Sequence, residues 1–330
     1  MPVYEPQGDY EGGILVVNEG PFQNGSGTVT YVSSDLSQSV DGIYKTENGT
    51  DLGNIFQSMF LYGTQAFLVV NNSHVIEVVN RFTFVKEGII DENLDNPRYA
   101  VVVNGKLYVT NWGDTASESD DFIAVYDVNT LAYVTSISVD LGPEKMQVIG
   151  NKIYVAHEGA YGFNNKISVV SSVTNEVDTV IEVGDVPNSI GVDSAQNLWV
   201  LCGGVPAWTG AETFGSLHRI NSISDEVEKT FIFDASHPDY LTVDSANVLY
   251  AVGANVYGMP NAATELPTEV LIETGADFLY SLRASNGFLF ATDAKDFSSK
   301  GSLTIYKYLS KEILSTVSTG ISPNGVYFNN

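Results

Sequence analysis

One cysteine, Cys202, stands in a chain of 330 residues. A single thiol forms no internal disulfide and no cysteine-based zinc module. Neither Arg nor Lys lies near it in sequence, so it reads as a small buried residue at a strand end rather than a reactive thiol. Basic residues are scarce: 15 Lys and Arg against 40 Asp and Glu give a formal charge of −25. That charge repels phosphates and speaks against nucleic acid as a partner. Long apolar runs are missing, the longest being of strand length, so no transmembrane segment is expected. Met1-Pro2-Val3-Tyr4-Glu5 has neither the basic nor the apolar region of an export signal. No stretch carries a helical period.

Catalytic signatures are equally thin. His74, His157, His218 and His237 fall in no HExxH or H-x-H pattern, and His218 sits inside an apolar run that suits a partnered structural histidine. No G-x-S-x-G elbow and no glycine-rich phosphate loop occurs. The acidic stretch Asp114 to Asp121 lacks the spacing of a calcium loop. No catalytic set, metal or cofactor is therefore expected.

What is present is repetition. Residues 97–139 hold four short apolar runs separated by turns, with Asn104-Gly105 suited to a tight hairpin and Asp127-Val128-Asn129-Thr130 to an outer turn. The hairpin motif Asn104-Gly105-Lys106-Leu107-Tyr108-Val109 returns as Gly150-Asn151-Lys152-Ile153-Tyr154-Val155, then in shorter form at Asn197, Asn247 and Asn286. The outer turn returns at Val173 to Val177 and at Ile223 to Val227. A period of about 40–50 residues with four strands per repeat is the pattern of a β-propeller blade. The middle runs are apolar on both faces, which requires cover on both sides.

The chain is thus predicted to be all-β, a seven-bladed β-propeller of four-stranded antiparallel blades. After a flexible leader at 1–12, residues 13–330 form one domain. The group at 14–45 lacks an innermost strand, and Ser322 to Phe328 supplies it, so that a blade shared between the termini closes the ring. The remaining blades fall at 58–87, 97–139, 143–183, 187–233, 238–273 and 278–318, with six blades the competitor if the segment 53–88 is miscounted.

In such a ring, the loops joining second and third strands share a face with the loops leading into the innermost strands. The former are long at 18–27, 111–121, 157–166, 203–216 and 293–301 and short at Asn71-Asn72-Ser73. They carry Phe22, Trp112, Tyr161, Phe163, Trp208, Phe214 and Phe297, a set suited to stacking on a large planar or glycan-like ligand. The alternative for each is packing against a neighbouring loop. The openings of the innermost strands place Arg98, Glu144, Lys145, Asn188, Asp239 and Asn324 at the channel mouth, where polar residues are also ordinary for a wet channel.

The repeats, with Asn104-Gly105-Lys106-Leu107-Tyr108-Val109 and the run Ile123-Ala124-Val125-Tyr126-Asp127-Val128-Asn129-Thr130, resemble the YncE-like, surface-layer seven-bladed propellers. The opening at 14–32 is similar to propeller lipoproteins of the Bacteroidetes cell surface, and in type to the BtuG lipoproteins, which capture vitamin B12 for a TonB-dependent transporter. The resemblance implies a cell-surface or periplasmic location, an export signal and lipid anchor upstream of Met1, a small-molecule or glycan ligand such as cobalamin, and an outer-membrane transporter as partner. It carries over no site residue. The expected activity is non-catalytic binding. The alternatives are a propeller hydrolase of the metal-dependent lactonase type, since fold alone does not decide function, and a protein-interaction scaffold.

Overall fold

In the computed structural model, which describes residues 6–22, 25–114 and 116–330, the chain forms seven four-stranded antiparallel sheets. Blade one joins the termini: Pro323–Phe328 is innermost, followed outward by Ile14–Asn18, Thr28–Val32 and Ser39–Asp41. Blades two to seven are consecutive meanders whose innermost strands are Phe56–Tyr62, Pro97–Val103, Pro143–Ile149, Pro187–Val192, Pro238–Asp244 and Leu279–Ser285. Neighbouring innermost strands touch in order around the axis, the last returning to the first.

The double-sided apolar strands follow from this packing. Side chains alternate across a strand, and here alternate residues serve opposite neighbours. Leu107 and Val109 of blade three pack toward blade two, with Phe67 and Val69. Tyr108, between them, packs toward blade four, with Ile153 and Val155. Seven apolar clusters result, one at each interface between adjacent blades. The repeated Lys and Tyr of the hairpin motif add polar pins. The Tyr108 hydroxyl donates to Asn175 Oδ1 at 2.8 Å, and Tyr154 does the same to Asp225 Oδ1 at 2.6 Å, each on the outer turn of the next blade. Lys106 and Lys152 reach the same two turns.

Two local departures from the sequence reading have simple causes. The outermost strand of blade one ends at Asp41, and Ile43–Asn48 forms a short α-helix between left-handed glycines Gly42 and Gly49; six residues are too few to show a period. Blade two runs to Ile90, past its expected end at 87, with Lys86–Ile90 as its outer strand, because Asn80 Oδ1 caps the amides of Phe82 and Thr83 in a turn before it. In blade six the outermost strand shrinks to Ile272–Glu273. Of the leader, residues 6–12 lie against the ring: Tyr10 is buried against Tyr31 and Phe84.

The residue before the innermost strand is left-handed in five blades, at Ser322, Ile55, Asn96, Gly142 and Val186. Val186 is β-branched and has φ 58°, while Asn96, its counterpart in blade three, has φ 51° and donates its Nδ2 to Gly113 O at 2.9 Å. Asparagine tolerates this region and valine does not. Val186→Asn is expected to raise stability by about 1 kcal/mol, measured by chemical denaturation; an unchanged or lower midpoint would refute the strain at this turn.

Candidate functional site

The site begins with a backbone device repeated seven times. Near the start of each innermost strand the register slips, so that the innermost strand has one more residue than its partner. Such bulges re-aim side chains. Here they gather Gln57, Arg98, Asn188, Asp239, Tyr280 and Asn324 around an axial cavity of about 750 Å³. Lys145 lines it too. Glu144 does not; it is buried behind Arg98 and paired with it, Arg98 Nε and Nη2 both lying 2.8 Å from Glu144 Oε1. The channel-mouth set expected from sequence is therefore brought together, five members at the wall and one supporting the wall.

The loops meet the same rim. The amide after the second strand donates to the residue before the innermost strand in blade after blade: Glu19 to Ser322 O, Trp112 to Asn96 O, Glu158 to Gly142 O and Gly203 to Val186 O. This brings the start of each of these loops beside the opening of an innermost strand, and Glu19 and Glu158 line the cavity. Glu19 and Glu158 arrive there by that route, and neither stood among the sequence candidates. Glu19 accepts hydrogen bonds from the Tyr280 hydroxyl and from Asn324 Nδ2, each at 2.9 Å.

Electrostatics at the mouth are dominated by removal from water. Burial raises Glu19 and Asp239, and it pushes the Glu158 carboxyl up to about 8, with Glu144 adding and Lys145 opposing. The Tyr240 and Tyr280 phenols are raised by burial and by the neighbouring carboxylates. Tyr240 also has φ 57°, an uncommon backbone for a bulky residue.

The loop aromatics form an arc continuous with this mouth. The Arg98 guanidinium lies 3.8 Å from the ring centroid of Trp112. Trp112 meets Tyr161 edge to face at 5.8 Å, and Phe163, on the same loop as Tyr161, meets Trp208 at 6.4 Å. Phe214 packs on His237, and Phe297 on Phe278 and Tyr280. Pairing does not bury the outer members: Tyr161 is 74% and Trp208 82% exposed. Trp112 is half-buried, as its stacking on Arg98 requires. Phe22 is exposed on the loop of blade one and has no ring partner among the described residues. Blades two and six contribute little to this rim, because their second and third strands are joined by residues 71–74 and 253–254 alone.

The groups that could do other chemistry are engaged structurally. Burial depresses His157 and His218 to about 4, so both are neutral near neutral pH. His157 Nδ1 donates to Asp140 O, and its Nε2 accepts from the Ser168 hydroxyl. His218 Nε2 accepts the Gly184 amide. Cys202 is fully buried and its thiol is pushed up to about 12. Among the described residues no group of three His, Cys, Asp or Glu side chains is placed to hold a metal ion, and no helix is long and apolar enough to cross a membrane.

The fold and rim define a seven-bladed β-propeller with a polar, tyrosine-walled axial cavity and an aromatic face around one mouth. Over residues 12–296 the chain matches, and belongs to, the family described as a domain of unknown function, DUF5074. No curated protein matches its sequence. Similar folds occur in the computationally designed Ika8 protein (10% identity, TM-score 0.64, covering 97% of this chain and 96% of that one). Hydrazine synthase of Kuenenia stuttgartiensis is also similar (18% identity, TM-score 0.62, 81% and 90% covered). So is the dihydro-heme d1 dehydrogenase NirN (11% identity, TM-score 0.59, 99% and 77% covered). At these identities the likeness is one of fold.

Proposed function

We propose that this protein is a non-catalytic binding propeller that captures a large flat ligand on its aromatic loop face. The observation that carries the reading is a pair of aromatic contacts meeting on one loop, Arg98 with Trp112 and Tyr161 on one side and Phe163 with Trp208 on the other, exposed at the outer end and held by a rigid ring. Aromatic rings with one face free supply contact area at little ordering cost, and preorganisation reduces the entropy lost on binding. The resemblance of the repeats to YncE-like and BtuG-like surface propellers makes cobalamin the ligand to try first. It also makes the cell surface or periplasm the location, and a TonB-dependent outer-membrane transporter the receiver. Binding is favoured over a metal-dependent hydrolase, because Glu144 and Glu19 are engaged with Arg98, Tyr280 and Asn324 and, among the described residues, no three His, Cys, Asp or Glu side chains converge on one point.

Calorimetric titration with cyanocobalamin tests this. One-to-one binding is expected, weakened about tenfold or more by Trp208→Ala and by Trp112→Ala. Ile223→Ala is the control; Ile223 is 90% exposed on an outer turn away from this face, and the change should have no effect. Absence of saturable heat would remove cobalamin, and equal affinity in all four proteins would remove the loop face.

A further inference from the structure

The axial cavity has a chemistry of its own, separate from whatever the loop face holds. Four carboxylates, Glu19, Glu144, Glu158 and Asp239, surround or support its mouth beside two cations, Arg98 and Lys145. Both cations have partners: Arg98 is shared between Glu144 and the Trp112 ring, and Lys145 Nζ donates to Asn188 O at 2.9 Å. Glu19 is satisfied by two neutral donors. That leaves two. The Glu158 carboxyl accepts no hydrogen bond from any described residue, and Asp239 accepts only the backbone amide of Tyr240.

Independent of charge, the wall is short of donors. Asn188 is 7% exposed and lines the cavity; its Nδ2 donates to Pro238 O, while its Oδ1 has no partner. The Oδ1 of Asn324, also at the wall, is likewise unpartnered after its Nδ2 has donated to Glu19 and Gln57 O. Buried acceptors left bare are costly and call for a donor. Tyr240 and Tyr280 line the same cavity, and aromatic faces attract cations.

We infer that the axial cavity binds an organic cation carrying a protonated primary amine, its ammonium set between Glu158 and Asp239 and its carbon chain against Tyr240 and Tyr280. An ammonium supplies three N–H donors and one positive charge, which answers both deficits. A metal ion would require converging ligands that the described residues do not offer. The formal charge of −25 draws cations toward the molecule at low ionic strength.

The probe is putrescine, titrated calorimetrically at low salt. One saturable site is expected, weakened about tenfold by Asp239→Asn and unaffected by Trp208→Ala. Glu158 adds a signature that a merely structural role would not give. It is surrounded by Glu144, Asp239, Lys145, Arg98 and Tyr240, and burial, with the neighbouring carboxylates, pushes its carboxyl up to about 8. It must release its proton to face an ammonium, so binding releases close to one proton at neutral pH. The observed heat then varies with the buffer's ionisation enthalpy, and affinity climbs between about pH 6 and pH 8.5. Glu158→Gln abolishes that climb and weakens binding most at the upper pH. Should a variant fail to fold, proton release by the unaltered protein still decides. No saturable heat, binding without proton release, or calcium bound at this site to the exclusion of putrescine would each overturn the assignment.

Discussion

Replacing Glu144 with alanine is expected to lower the stability of the folded chain by about 3–5 kcal/mol, a larger effect than removing any loop aromatic. The side chains of Glu144 and Arg98 are 4% and 15% exposed, and the guanidinium has no other carboxylate within ion-pairing distance among the described residues. Truncation leaves that charge in a partly desolvated site against the Trp112 ring, with Glu19 and Glu158 beyond ion-pairing distance. Coulomb attraction within the intact pair offsets the desolvation of both partners; loss of one partner removes the offset and keeps the penalty. The double replacement Arg98→Met with Glu144→Leu should recover most of the loss, because no buried charge then remains. Chemical denaturation of the unaltered protein, Arg98→Met, Glu144→Leu and the double variant gives the coupling energy directly. A cost below about 1 kcal/mol, as for a surface pair, would show that water solvates Arg98 freely.

Shortening the chain to end at Ile321 is expected to abolish cooperative folding. The lost segment is the innermost strand of blade one, and it pairs with Ile14–Asn18 along its length. Val326 and Phe328 fill the interface between blades seven and one, Phe328 meeting Phe290 edge to face at 5.0 Å. Beyond the strand, Asn329 is fully buried and fastens three segments at once. Its Nδ2 donates to Tyr10 O at 2.6 Å and Arg81 O at 2.8 Å, and its Oδ1 accepts from Arg81 Nε at 2.7 Å. Without this strand a seven-bladed ring becomes an open array with an unpaired edge at each break, the arrangement most prone to association. Absence of a single thermal transition, with the chain sedimenting as aggregate, is the expected readout. A cooperative transition near that of the full chain would mean that the ring tolerates opening.

The fold was legible because its signal is repeated. One hairpin motif and one outer turn, recurring in register, pointed to seven blades with six as the competitor, and the segment Ser322 to Phe328, matching the other strand openings, pointed to ring closure. The channel mouth was legible wherever proline marks the strand opening: Pro97-Arg98, Pro143-Glu144, Pro187-Asn188, Pro238-Asp239 and Pro323-Asn324. It was missed at Phe56-Gln57 and Leu279-Tyr280, which occupy the same ring position with no proline to mark it. Glu19 and Glu158 were missed for another reason. Each is the first residue of a long acidic or glycine-rich loop, and among 40 acidic residues nothing but the hydrogen bond back to the preceding turn distinguishes them. Had the residue after every second strand been aligned, Glu19, Trp112 and Glu158 would have fallen in one column. The pairing of loop aromatics was not legible at all, since Trp112 with Tyr161 and Phe163 with Trp208 join different blades. Burial of Glu144 behind Arg98 depends on the same inter-blade geometry.

A crystal structure of the protein soaked with cyanocobalamin tests the central claim most directly. The account places the ligand over the channel mouth, its flat face against Trp208 and Tyr161 and its edge near Arg98. A ligand bound to the outer strands, or to the opposite face where Asn104-Gly105 and Asn286-Gly287 turn, would contradict it.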